Sequence, residues 1–152
     1  MAKTNPFHFP PVNPLTHGRK VSAAVSGGVL WAAVQTEQAR NDRIALLRAE
    51  RDSSTLRIFG SEGACHDPCL TAFGSTVAVF WNEKDSRGWA VRCALLDPQT
   101  AEPSSVETVF RSERLCLPPA AACLDGRLYA AWPALTAKGI RIHVAARGAD
   151  DW

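Results

Sequence analysis

Phe59-Gly60-Ser61-Glu62-Gly63-Ala64-Cys65 returns 51 residues later as Phe110-Arg111-Ser112-Glu113-Arg114-Leu115-Cys116, and both stretches read F-x-S-E-x-x-C. The same step carries Pro68 onto Pro119, Trp81 onto Trp132 and Trp89 onto Ile140. Self-similarity at a fixed step of roughly 20–50 residues, or slightly above, marks stacked units that cannot bury an apolar face alone. The repeat therefore speaks to architecture. It does not identify an activity, because repeat scaffolds carry many.

Period-2 alternation and turn residues place the strands within each unit. In the second unit, strands are expected at 69–73, 77–81, 89–96 and 106–110. The run 77–81 reads as buried on both faces, and 82–88 as a polar loop. In the third unit they are expected at 120–123, 127–132 and 140–146, with Asp125-Gly126 as a hairpin turn and 133–139 as a loop. A fourth strand is missing there. The first unit fills four places at 21–25, 29–35, 44–51 and 55–59. Residues 35–50 also contain good helix formers, but 44–52 aligns with 89–97, which favours strand over local propensity.

Four short antiparallel strands in about 50 residues match one blade of a β-propeller. The expected fold class is all-β: a partial β-propeller of three four-stranded antiparallel units, the last lacking its outer strand. The blades span 20–63, 64–114 and 115–152, in one domain over 1–152. A leader over 1–19 precedes them. Within it Phe7-His8-Phe9, between Pro6 and Pro10, is either a closing edge strand at 6–10 or an unstructured terminus. Three blades do not close a ring, since propellers have roughly four to eight. Two chains forming a six-bladed homodimer, a larger assembly, or further blades in a longer chain all remain open.

Bulk properties exclude several classes. A net charge of +2 with scattered arginines argues against a nucleic-acid partner. No apolar run approaches the roughly 18 residues of a membrane span. The opening MAKTNPFHFPPVNP lacks an apolar signal core, so a cytoplasmic location is expected. Five cysteines cannot all pair within one chain, and in a cytoplasm they stay reduced. Without a phosphate-cradling glycine loop or a dinucleotide fingerprint, no cofactor is expected.

Pro119 to Trp132, with Leu128-Tyr129-Ala130-Ala131-Trp132 at its end, is followed by Ile140-Arg141-Ile142-His143-Val144-Ala145 and then Asp150-Asp151-Trp152. This succession resembles sialidase-type (Asp-box) propeller repeats. The resemblance covers units two and three well and unit one loosely. It implies a propeller that is lectin-like or glycosidase-related. The ending departs from the Asp-box turn, because Gly148 precedes the aspartates and the serine is missing. A sialidase also needs an arginine cluster, a Tyr–Glu nucleophile pair and an acid/base aspartate. No F/Y-R-I-P-like segment occurs, and Tyr129, the only tyrosine, falls inside a blade strand. No catalytic residue is therefore assigned.

Strand direction puts the entry to the first strand and the exit of the second at one end of a blade. Asp67 is thus expected beside Trp81, Asn82, Glu83 and Arg87, with Trp132 at the matching place in unit three. Aromatic faces near carboxylates, amides and guanidinium suit a sugar, which stacks its C–H face and hydrogen-bonds its hydroxyls. Trp81 and Trp132 read first as packing residues repeated between blades. Cys65, His66 and Cys69 carry good metal-ligand atoms, yet C-x-x-x-C with one histidine lacks a second half. The leading expectation is a non-catalytic module binding carbohydrate or a protein. The alternatives are an N-terminal fragment of a sialidase-like glycoside hydrolase and a pure interaction scaffold.

Overall fold

The computed structural model describes residues 19–38, 41–51, 53–60, 63–147 and 152. The closing strand considered at 6–10 lies outside them. The described chain holds eleven strands and no helix. They are β1 (Val21–Ser26), β2 (Val29–Gln38), β3 (Asn41–Ala49), β4 (Ser54–Phe59), β5 (Ala64–Phe73), β6 (Thr76–Asp85), β7 (Gly88–Leu96), β8 (Pro103–Ser112), β9 (Ala120–Leu124), β10 (Arg127–Thr136) and β11 (Gly139–Ala146). Consecutive strands pair antiparallel into three sheets: β1-β2-β3-β4, β5-β6-β7-β8 and β9-β10-β11. Within 35–50, Gln35 to Gln38 belong to β2 and Asn41 to Ala49 to β3, so these described residues are strand, as the alignment indicated.

The strands run further than alternation suggested. Asn82 to Asp85, read as loop, continue β6 and pair with β7 down to Asp85↔Gly88, so the turn shrinks to Ser86-Arg87. Likewise β10 runs through Pro133 to Thr136. Cys65 and His66 belong to β5. The reason is the ladder: a backbone that leaves it must find other partners for its N–H and C=O groups. Polar side chains do not prevent pairing where one face of the strand meets a neighbour. Tight reversals are possible because Gly27 and Gly28, and Asp125 and Gly126, all take positive φ, which two-residue hairpins need.

The sheets stack face to face and approach through their first strands, β1 against β5 and β5 against β9. One core lies between the first two sheets, where Trp31, Ile44 and Leu46 meet Leu70, Val77, Val79, Trp81 and Leu96. A second lies between the next two, where Phe80, Val91 and Cys93 meet Cys116, Leu128, Ala130 and Trp132. Trp152 completes it, with its ring edge-on to Phe80 at 5.4 Å between centroids. β6 feeds both cores from alternate positions, because successive strand side chains point to opposite faces. Each large side chain so buried contributes about 1.5–3 kcal/mol.

Burial also sets thiol reactivity. It pushes the Cys93 thiol up to about 12, with the Glu107 carboxylate adding to the effect, and the Cys116 thiol up to about 11. Cys123 is exposed on β9. Since the thiolate is the nucleophile, iodoacetamide at pH 8 is expected to label Cys123 in the folded chain. Cys93 and Cys116 are expected to react only after unfolding. Peptide mapping by mass spectrometry checks this, and equal labelling of all three would contradict the packing.

Candidate functional site

The end of the sheets where β5 begins and β6 finishes is polar. β2, β6 and β10 are each ten residues long and each follow a two-residue turn. Counting from Val29, Thr76 and Arg127 makes Gln35, Asn82 and Pro133 equivalent. Gln35 Oε1 accepts from the Asp67 backbone N–H at 3.1 Å in the next sheet. Asn82 Nδ2 donates to the Cys116 carbonyl at 3.2 Å in the sheet after that. One strand position therefore supplies an amide that ties each sheet to the segment entering the next. Proline ends the series in the third sheet.

Asp67 stands at an interruption in β5. His66 pairs with Asn82 and Cys69 with Phe80, so Asp67 and Pro68 together face one residue, Trp81. This β-bulge needs a left-handed residue, and Asp67 has φ 56°. Aspartate tolerates that region better than most side chains. The bulge turns the Asp67 carboxylate toward Asn82 Nδ2 at 3.3 Å, and Lys20 pairs with it from the entry to β1. The His66 Nδ1 lies 3.1 Å from Asp42 Oδ2 and 3.2 Å from Gln35 Nε2. Its ring centroid is 5.7 Å from that of Trp89. Asp42, His66, Asp67 and Asn82 thus form one network crossing the first junction.

Glu83 is 1% exposed, and its Oε1 accepts from Arg92 at 2.8 Å. Arg92 also donates to the Thr108 hydroxyl. Asn82 Oδ1 and Glu83 Oε2 are buried without hydrogen-bond partners among the described residues. Arg87 is exposed in the β6–β7 turn, with Asp85 3.5 Å away. Arg111 grips both oxygens of Asp85, at 3.0 and 3.1 Å. That contact, aided by the Arg87 backbone N–H, holds the Asp85 carboxyl below the usual carboxylate range.

Trp81 (1% exposed) and Trp132 (2%) sit in the two cores. Trp132 stacks on His143 at 5.8 Å with 8° between planes. Their ring faces meet protein rather than solvent. Cys65 lies in the first core and Cys69 against the second, so the two thiols face different junctions. Among the described residues no three His, Cys, Asp or Glu side chains converge on one point.

Beside the network lies an open groove of about 420 Å³, lined by Asn41, Gly63, Ala64, Lys84, Asp85 and Ser86. Gly63 lets the chain pass close to β6 here: a Cβ would stand 2.5 Å from the Lys84 carbonyl oxygen. The Lys84 Nζ stands 5.6 Å from the half-buried Trp89 ring. Amide, ammonium, carboxylate and hydroxyl groups are thereby collected with an aromatic neighbour. Such a surface can exchange several hydrogen bonds with a hydroxylated ligand. The residues expected at this end did not include Gln35, Asp42 or Trp89. Trp89 carried a signal: its repeat partner is Ile140, so an indole there is not demanded by the repeat.

No protein-family model matches the chain, and no curated protein does. Among solved structures it is similar to a levansucrase mutant from B. megaterium, with a TM-score of 0.56 and 11% sequence identity. The match covers 77% of this chain and 40% of that one, so the chain spans well under half of the levansucrase. Levansucrase is a β-propeller. At this identity the likeness concerns fold alone, and described helix is absent from the chain. These three antiparallel sheets therefore have a propeller-like, all-β fold.

Proposed function

We propose that the chain is a non-catalytic β-propeller module, built of three sialidase-like blades, that binds carbohydrate at the end carrying Asp67 and Asn82. The observation behind this is the polar groove along Asn41, Lys84, Asp85 and Ser86, with Trp89 next to it. In this reading Lys84 and Asp85 address sugar hydroxyls, and Arg111 fixes Asp85 for that purpose. Arg87 borders the groove from the turn. Asp67, Asn82 and Glu83 hold the strand ends beneath it, and Trp81 and Trp132 form its packed foundation.

The test is a glycan array followed by titration calorimetry on the parent, Lys84→Ala and Trp89→Ala. Both positions are partly solvent-accessible, so folding should persist, as circular dichroism would show. Each variant is expected to weaken the retained glycan at least tenfold, about 1.4 kcal/mol. Unchanged affinity, or no glycan retained by the parent, rejects the reading in favour of a protein-binding scaffold.

A second reading draws on the likeness to levansucrase and on Asp42 and Asp67 being linked across one junction through Gln35. Here the chain is part of a larger glycoside-processing enzyme. Sugar released from a bound glycan, and lost in Asp67→Asn, would select it.

A further inference from the structure

The stack runs in one direction. Counting from Val29, Thr76 and Arg127, Val34 matches Trp81 and Trp132, while Trp31 matches Ala78 and Tyr129. The Trp31 face of the first sheet packs on the Trp81 face of the second. The Ala78 and Phe80 face of the second packs on the Trp132 face of the third. Each junction therefore joins the same face of one sheet to the same opposite face of the next. Two faces have no partner sheet among the described residues: the Val34 face of the first sheet and the Tyr129 face of the third.

Both are apolar. Register places Val21 beside Val34, Ala45 and Ile58 in one row, and Ala23, Ala32, Leu47 and Leu56 in another. On the third sheet, Ile140 lies beside Leu135, Ile142 beside Pro133, and Val144 beside Ala131 and Ala120. Nine of the eleven exposed large apolar side chains among the described residues lie on these two faces, Val21 at 70% and Ile142 at 74% among them. Contiguous apolar surface of this kind marks an interface.

We infer that these faces bind each other between two copies of this chain, head to tail. They are the two halves of a junction that the molecule already makes twice, so a second copy offers the matching half with no new surface required. The contact is heterologous, and such contacts either close into a ring or run on as a filament. Two copies bring six sheets, within the roughly four to eight at which propellers close, whereas three copies overshoot. A two-fold ring of two chains results. Pro133 replaces the amide that Gln35 and Asn82 supply internally, so the junction between copies relies on apolar contact.

Analytical ultracentrifugation over a dilution series tests this. The parent is expected at the mass of two chains. Ile142→Glu with Val144→Lys, on the third sheet, should give single chains. So should Val21→Lys with Val25→Glu, on the first. These side chains face solvent in one chain, so circular dichroism should match the parent. Mixing the two variants should restore a dimer, because one intact junction remains between them. A parent at the mass of one chain overturns the inference and leaves the faces to further sheets of the same chain. A dimer that survives either variant, or a mixture that stays at one chain, overturns the head-to-tail pairing.

Discussion

Trp81→Ala is expected to destabilise the folded chain by about 3–5 kcal/mol. The indole is 1% exposed and belongs to the core joining the first and second sheets. It also lies opposite the two bulge residues Asp67 and Pro68. Truncation removes the transfer free energy of the ring and leaves a void that two ladder-bound strands cannot fill by moving. Trp81→Phe should recover much of the loss. Urea unfolding followed by circular dichroism measures both. A cost under about 1 kcal/mol for Trp81→Ala would show that the first junction does not depend on this core. The same experiment bears on function, since a folded variant that lost glycan binding would return Trp81 to the ligand site.

Glu83→Ala should rank next, also at about 3–5 kcal/mol. Glu83 is buried, and the Arg92 side chain beside it is only 14% exposed. Removing the carboxylate leaves that guanidinium with the Thr108 hydroxyl as its remaining side-chain acceptor among the described residues, and an uncompensated buried charge costs more than the intact pair contributes. Two further variants separate charge from packing. Glu83→Gln keeps an acceptor and should cost about 1.5–3 kcal/mol, the range for a charged hydrogen bond. Glu83→Leu combined with Arg92→Met removes both charges and should return to within about 1 kcal/mol of the parent. If Glu83→Ala and the double variant unfold at the same urea concentration, the pair is not acting as a buried charge couple.

Sequence legibility follows the range of the interactions involved. In unit two the strand Val77 to Trp81 was readable because a short continuous apolar run bounded by turn residues is a local signal. The Asp125-Gly126 reversal was readable because positive φ has a composition signature. Strand ends were not. Asn82 and Glu83 look like loop residues in isolation, yet they are held in β6 by hydrogen bonds to β7 and covered by neighbouring elements. The candidate site divides in the same way. Strand direction alone placed Asp67 near Asn82, and the structure has them 3.3 Å apart. It gave no access to Asp42 or Gln35, which reach Asp67 and His66 from a different sheet.

Chain chemistry was enough to establish repetition, an all-β composition of strands and the polar character of one end, since the first shows in recurring letters and the other two depend on residues close together in the chain. The direction of stacking needed three dimensions. So did the fate of Trp81 and Trp132 and the pairing of Glu83 with Arg92. A side chain's partner on a neighbouring sheet is decided by which face the ladder turns toward that sheet. A single extra residue such as the Asp67 bulge changes that face without leaving a mark in the pattern of apolar and polar letters.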